Sequence, residues 1–133
     1  MISIYACITV YKSVYNERST VPSPTYYLFI TSQYSFERVL RARGKPGVLL
    51  CDRGLMDGSA YMSQEAWDRL LKKRDVQCVS ELREGRYNAV YHLVTAAEGA
   101  EKFYTLENNA VRTESPELAR NLDNMTRTAW VGQ

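Results

Sequence analysis

The sequence of 133 residues has few of the side chains that build metal sites or disulfide frameworks. It contains three cysteines and one histidine, and no two cysteines have C-x-x-C spacing. This odd number and this spacing argue against a disulfide framework and against a zinc site. The sequence therefore predicts reduced, buried thiols in an intracellular protein, and we expect a cytoplasmic location.

Long apolar runs and a strong net charge are also missing. No stretch is apolar for long enough to span a bilayer, and residues 1–10 lack the basic start and the small-residue cleavage site of a signal peptide. A net charge of +2 is too small to indicate nucleic acid or an anionic membrane as a partner. The ordinary composition, with 45% apolar and 24% charged residues, predicts one globular domain.

The sequence does contain three patterns typical of β-strands. Residues 2–11 alternate between apolar and polar side chains, which predicts a strand with two different faces. The apolar runs at residues 48–51 and 89–94 have no charge and no alternation. Such runs are typical of strands that are buried on both faces of a parallel sheet.

Three longer helices are predicted to accompany these strands. The first begins between residues 26 and 32, after an exposed proline-containing loop over residues 16–25, and has Phe36 on its apolar face. The second begins behind the cap Ser63, and the third behind Ser115. Strands that alternate with helices favour right-handed crossovers on a parallel sheet. The predicted fold class is α/β, a parallel sheet with helices on both faces.

Two charged residues stand at the end of the first apolar run. Asp52 and Arg53 would emerge at the carboxyl edge of a parallel sheet, which is where such folds bind ligands. A carboxylate there can hold Mg²⁺ through water, and an arginine can bind a phosphate with its planar fork. Alternatively, Asp52 only caps the turn after the strand. Asp57 is either a second polar group at this edge or a turn residue before Gly58.

The other candidate residues also have two interpretations each. His92 lies in an apolar run without a Ser, Cys or Asp at a spacing that would pair with it, which favours a core histidine over a catalytic base. Arg112 is either a site residue or a solvated arginine before a helix cap. Tyr104 and Asn108 either line a pocket for a base or form a turn, and the sequence leaves both open.

Three blocks of the sequence together resemble one family of nucleotide-binding domains. The blocks are residues 49–61, 87–100 and 103–114. In order and spacing they resemble the NadR-like AAA, P-loop NTPase domain found in proteins of the TRPL-translocation-defect type. The resemblance covers about residues 26–133, and residues 1–25 form an unmatched N-terminal segment.

The resemblance implies a P-loop NTPase or kinase-like fold that binds ATP or GTP with Mg²⁺. It implies that Asp52 lies at the Mg²⁺ ion, that Arg53 lies near substrate or phosphate, and that Arg112 belongs to a mobile lid. Phosphoinositide contact is implied only through a further C-terminal domain, which we expect to be absent here. The candidate cofactor-binding residues are Asp57, Tyr104 and Asn108.

One element of the family is missing from the sequence. The family has a G-x-x-x-x-G-K-[ST] loop after its first strand, and the backbone N–H groups of that loop hold the phosphates. Lys12-Ser13 follows a strand-like run, but none of the six preceding residues is glycine. We therefore expect a truncated domain that lacks phosphotransfer activity. It would be incomplete at both ends unless residues 2–10 replace the first strand.

Two alternatives to a truncated nucleotide-binding domain stay open. One is a non-enzymatic protein-interaction module on the same fold, and the other is a fragment of a nucleoside or nucleotide kinase. The expected partners are a nucleotide and a protein, and no nucleic acid. Unpaired strand edges in an incomplete sheet would promote association, so we also expect oligomers or aggregation.

Overall fold

A computed structural model describes residues 3–10, 24–104 and 115–131, with side chains for 26–104 and 115–131. Three strands form one sheet in the order β2-β1-β3. The strands are β1 at Ser3–Val10, β2 at Gly47–Asp52 and β3 at Ala89–Leu93. Both outer strands pair with β1 in parallel. The strand predicted over residues 2–11 is therefore present, and it takes the central position of the sheet.

Four α-helices accompany these strands in the described residues. They are α1 at Pro24–Ala42, α2 at Gln64–Lys73, α3 at Val79–Arg83 and α4 at Pro116–Val131. The predicted caps are confirmed, since Ser63 Oγ accepts from the Ala66 amide and Ser115 Oγ from the Leu118 amide, both at 3.3 Å. α1 begins inside the segment predicted to be a loop, because Pro24 needs no N–H partner in the first turn of a helix.

The hydrophobic core lies among α1, α2, α3 and the turn that follows β2. Its buried members are Ile30, Leu55, Met56, Met62, Ala66, Trp67, Leu70 and Leu82. A short 3-10 helix at Asp57–Tyr61 joins β2 to α2, and α4 packs on it. A Cβ at Gly58 would lie 2.1 Å from Tyr26 Cζ, so a side chain there would displace the Tyr26 ring.

One face of the sheet is exposed along both outer strands. Val48 and Leu50 in β2 are 59% and 65% exposed, and Tyr91 and Leu93 in β3 are 60% and 52% exposed. We call these four residues the open face. The prediction that both apolar runs are buried on both faces is wrong, because an apolar run does not determine whether a second layer covers it.

The buried side of α1 includes one polar residue, Gln33. Gln33 is 5% exposed, whereas Phe36 is 61% exposed, so the prediction that Phe36 belongs to the core-facing side is wrong. Gln33 Nε2 donates to the Arg53 carbonyl, and Gln33 Oε1 accepts from the Tyr87 hydroxyl, both at 2.8 Å. These hydrogen bonds to distant segments fix the rotation of α1 together with the core contacts of Ile30.

Two cysteines have described side chains, and both are free thiols. Cys51 is buried near the end of β2. This burial raises the pKa of its thiol above the ordinary value, although the nearby Arg86 acts in the opposite direction. Cys78 is exposed, so the prediction of buried thiols is wrong for this residue. It precedes α3, where its Sγ lies 3.0 Å from the Ser80 hydroxyl.

Candidate functional site

The carboxyl ends of the three strands meet at one edge of the sheet. Asp52 in β2 stands opposite Ile8 in β1, and Leu93 in β3 stands opposite Val10. The chain passes from β1 to β2 on one side and then returns to β3 on the other side. In open parallel sheets, ligands bind at the carboxyl edge where the strand order reverses. The candidate site is therefore the carboxyl edge of the sheet beside β1, with Asp52 one strand away.

Asp52 fits a magnesium ion that is held through water. It is exposed, and no hydrogen bond or ion pair engages its carboxylate among the described residues. Mg²⁺ keeps several waters and takes one or two carboxylates together with the phosphates of its substrate, so a single free acid suits it. The described residues contain no group of three or more acids, histidines or cysteines that could hold a metal. They therefore do not fit a cage made of protein ligands alone.

Arg53 is held in an unusual conformation beside Asp52. Its φ is +80°, in the left-handed region that a residue with a Cβ rarely adopts. Its Nη1 donates to the Tyr61 hydroxyl at 3.1 Å and lies 3.8 Å from Asp57 Oδ2. Such a backbone costs on the order of 1–3 kcal/mol and persists only where the surroundings hold it, which here includes the bond from Gln33 to the Arg53 carbonyl.

Asp57 lies near the same edge, but its carboxylate has internal partners. It is 3% exposed. Its Oδ1 accepts from Trp130 Nε1 at 2.6 Å, and its Oδ2 accepts from the Gly54 amide at 3.2 Å. These bonds tie α4 to the turn after β2 and support the turn role. A role of Asp57 in cofactor binding stays a prediction.

The other three predicted site residues lie further along the chain. Tyr104 is half-buried and directly follows the 3-10 turn at Glu101–Phe103. Asn108 and Arg112 lie outside the described residues. Their roles at the base and in the lid stay predictions.

A histidine–aspartate pair at the same edge was missed from the sequence. His92 Nε2 lies 3.1 Å from Asp123 Oδ2, and Asp123 Oδ1 accepts from the Thr95 amide at 2.9 Å. Asp123 is 3% exposed. The expectation that no aspartate pairs with His92 is wrong, because the partner comes from α4. The sequence did contain one indication of this pair, because Asp123 directly follows Leu122, a residue on the apolar side of the predicted helix.

A family model described as an AAA domain matches residues 11–133, which is most of the chain. Comparisons with curated proteins and with solved structures gave no significant match. Within the described ranges, no helix has the length and apolar character needed to cross a membrane.

Proposed function

The chain belongs to the AAA domain family, and from this premise we propose that it is a nucleotide-binding domain of the NadR-like type that takes ATP or GTP with Mg²⁺. Family membership supports a P-loop NTPase-like domain that binds nucleotide. The observation that carries the proposed site is the carboxylate of Asp52, which has no partner among the described residues and stands at the carboxyl edge beside the central strand. This is the edge where ligands bind in parallel sheets.

Five of the six candidate residues, all except Asp57, have a defined role in the proposed site. Asp52 holds Mg²⁺ through water, and the ion neutralises phosphate charge when it is bound. Arg53 binds phosphate oxygens, and its five N–H donors allow this without loss of the Tyr61 contact. Arg112 approaches the phosphates from a lid. Tyr104 and Asn108 contact the base.

We further propose that the chain binds nucleotide weakly and does not transfer a phosphoryl group. Its sequence contains no G-x-x-x-x-G-K-[ST] loop. Backbone N–H groups in such a loop are the main anchor of a triphosphate. Without them we expect a Kd of about 1 mM or weaker, which is at most roughly 4 kcal/mol of binding free energy.

Titration of the chain with ATP and with GTP, each with Mg²⁺ or with EDTA, tests this proposal. Calorimetry and NMR shifts should show millimolar binding that requires Mg²⁺. Asp52→Asn should remove the Mg²⁺ dependence, while Asp68→Asn, a change of an exposed acid on α2, should leave it intact. Micromolar affinity would contradict the proposed loss of the phosphate anchor. Unchanged Mg²⁺-dependent binding by Asp52→Asn would contradict the site.

A second candidate function is a protein-interaction module on the same fold. The observation that favours it is that the Arg53 guanidinium already contacts Tyr61 and Asp57. In this interpretation these contacts stabilise the edge, and Arg53 does not bind phosphate. A folded chain that gives no NMR shift changes with either nucleotide at millimolar concentration would favour this second function.

A further inference from the structure

A partly enclosed cavity of about 130 Å³ lies between α1, α2 and α3. Its apolar wall is formed by Ile30, Trp67, Leu70, Leu71, Val76 and Leu82. Tyr34 and Arg74 complete the lining. None of these residues belongs to the carboxyl-edge site, so the cavity is separate from the proposed nucleotide site.

Arg74 is the charged group of this cavity. Its Nη2 donates to the Tyr27 carbonyl and to the Thr31 hydroxyl, both at 2.9 Å, and its guanidinium lies over the Tyr27 ring. Its Nε is buried and has no hydrogen-bond partner among the described residues. No acid forms an ion pair with it in the described part of the chain. A buried donor without an acceptor is unfavourable, so this guanidinium favours an anionic acceptor from outside the chain.

The neighbouring charges favour the same class of ligand. Lys73 Nζ lies 4.7 Å from the centre of the Tyr27 ring, on which Arg74 also stacks, and it adds positive charge there. The nearest acid in sequence, Asp75, accepts from Gln77 Nε2 at 2.7 Å. Arg74 therefore has a second cation near it and an apolar wall beside it, and Asp75 forms no ion pair with it among the described residues.

We propose that this cavity binds a small carboxylic acid with an apolar body, such as a single aromatic ring. The carboxylate accepts from Arg74 Nε–H, and the ring packs against Trp67 and Leu70. A cavity of about 150 Å³ in another protein holds one benzene molecule, so the volume suits a ring of this size. A neutral carbonyl could accept from the same N–H but would form a weaker hydrogen bond than a carboxylate does, and a cation would be repelled.

Three matched probes test the ligand class: benzoate, benzamide and benzylamine. We expect benzoate to bind at least about tenfold more tightly than benzamide, because a hydrogen bond to a charged group is stronger than a neutral one. Benzylamine should not bind. The measurements are calorimetry and the NMR shift of the Trp67 indole N–H. Equal affinity for the three probes would overturn the carboxylate class, and no shift of Trp67 with any probe would overturn the site.

Variants test the residues. Arg74→Met keeps the apolar stem and should weaken benzoate binding about tenfold or more, whereas Arg69→Met, a change of an exposed arginine in α2, should not. Val76→Phe fills the cavity while Arg74 stays, and it should remove benzoate binding. Circular dichroism checks that each variant is folded. If Arg74→Met does not fold, Val76→Phe decides, and unchanged benzoate affinity in Val76→Phe would overturn the proposal.

Discussion

At the scale of single residues, two aspartates near the end of β2 have opposite surroundings. Asp52 is exposed and has no partner in the described part of the chain, whereas Asp57 is 3% exposed and accepts from Trp130 and Gly54. A buried donor that loses its acceptor costs about 1–3 kcal/mol. We expect Asp57→Ala to lower the free energy of unfolding by about 3 kcal/mol, and Asp52→Ala to change it by less than about 0.5 kcal/mol. Urea unfolding followed by circular dichroism measures both.

The matched variant at this site is Asp57→Asn. Its carbonyl oxygen still accepts a hydrogen bond from Trp130 Nε1, but the amide group cannot accept from the Gly54 amide as well. Its free energy of unfolding should therefore lie between those of the wild type and Asp57→Ala. An equal loss for Asp52→Ala and Asp57→Ala would show that the two buried hydrogen bonds contribute nothing to stability.

At the scale of elements, an ion pair joins α1 to the segment before β3. Arg86 Nη2 lies 2.5 Å from Glu37 Oε1, with the side chains 7% and 14% exposed. Burial raises the pKa of Glu37 above its ordinary value of 4.5, although Arg86 and Arg41 lower it. The folded chain therefore holds this proton to a higher pH than the unfolded chain does. The stability that results is complete below pH 4.5 and is lost as the pH rises through the pKa of the folded state.

Glu37→Gln tests this pH dependence. Glutamine has nearly the size and shape of glutamate but does not titrate. The stability that the wild type loses as the pH rises above 4.5 should therefore not be lost by the variant. Urea unfolding of both proteins over a series of pH values measures the difference in slope. Glu98→Gln, a change of an exposed acid after β3, should keep the wild-type slope. Identical slopes for wild type and Glu37→Gln would show that Glu37 does not carry the effect.

At the scale of the whole molecule, the core lies on one side of the sheet and leaves the open face exposed. Leu70 in the core is 1% exposed, whereas Leu50 on the open face is 65% exposed. Leu70→Ala should cost about 2–5 kcal/mol of unfolding free energy, because it leaves a cavity. Leu50→Ala should cost less than about 0.5 kcal/mol. Denaturant unfolding at two protein concentrations compares these matched leucines. If Leu50→Ala lost as much unfolding free energy as Leu70→Ala, and if that loss depended on protein concentration, association would be shown to cover the open face.

Local signals in the sequence were sufficient for the elements that carry their own caps and patterns. Ser63 and the pair Ser115-Pro116 define the starts of α2 and α4, because an N-cap acts within one helical turn. The alternation of apolar and polar residues over 2–11 predicted β1 correctly because this pattern also lies within one continuous segment. The position of Asp52 at the end of a strand also follows from local sequence.

Contacts between distant segments decided which side chains are paired and which are buried. The pairing of His92 with Asp123 joins β3 to α4, and the inward position of Gln33 depends on Arg53 and Tyr87. The sequence therefore determined where helices and strands form and which charged residue ends β2. Only the tertiary structure decided which side of each element is buried, because burial depends on whether another part of the chain covers it.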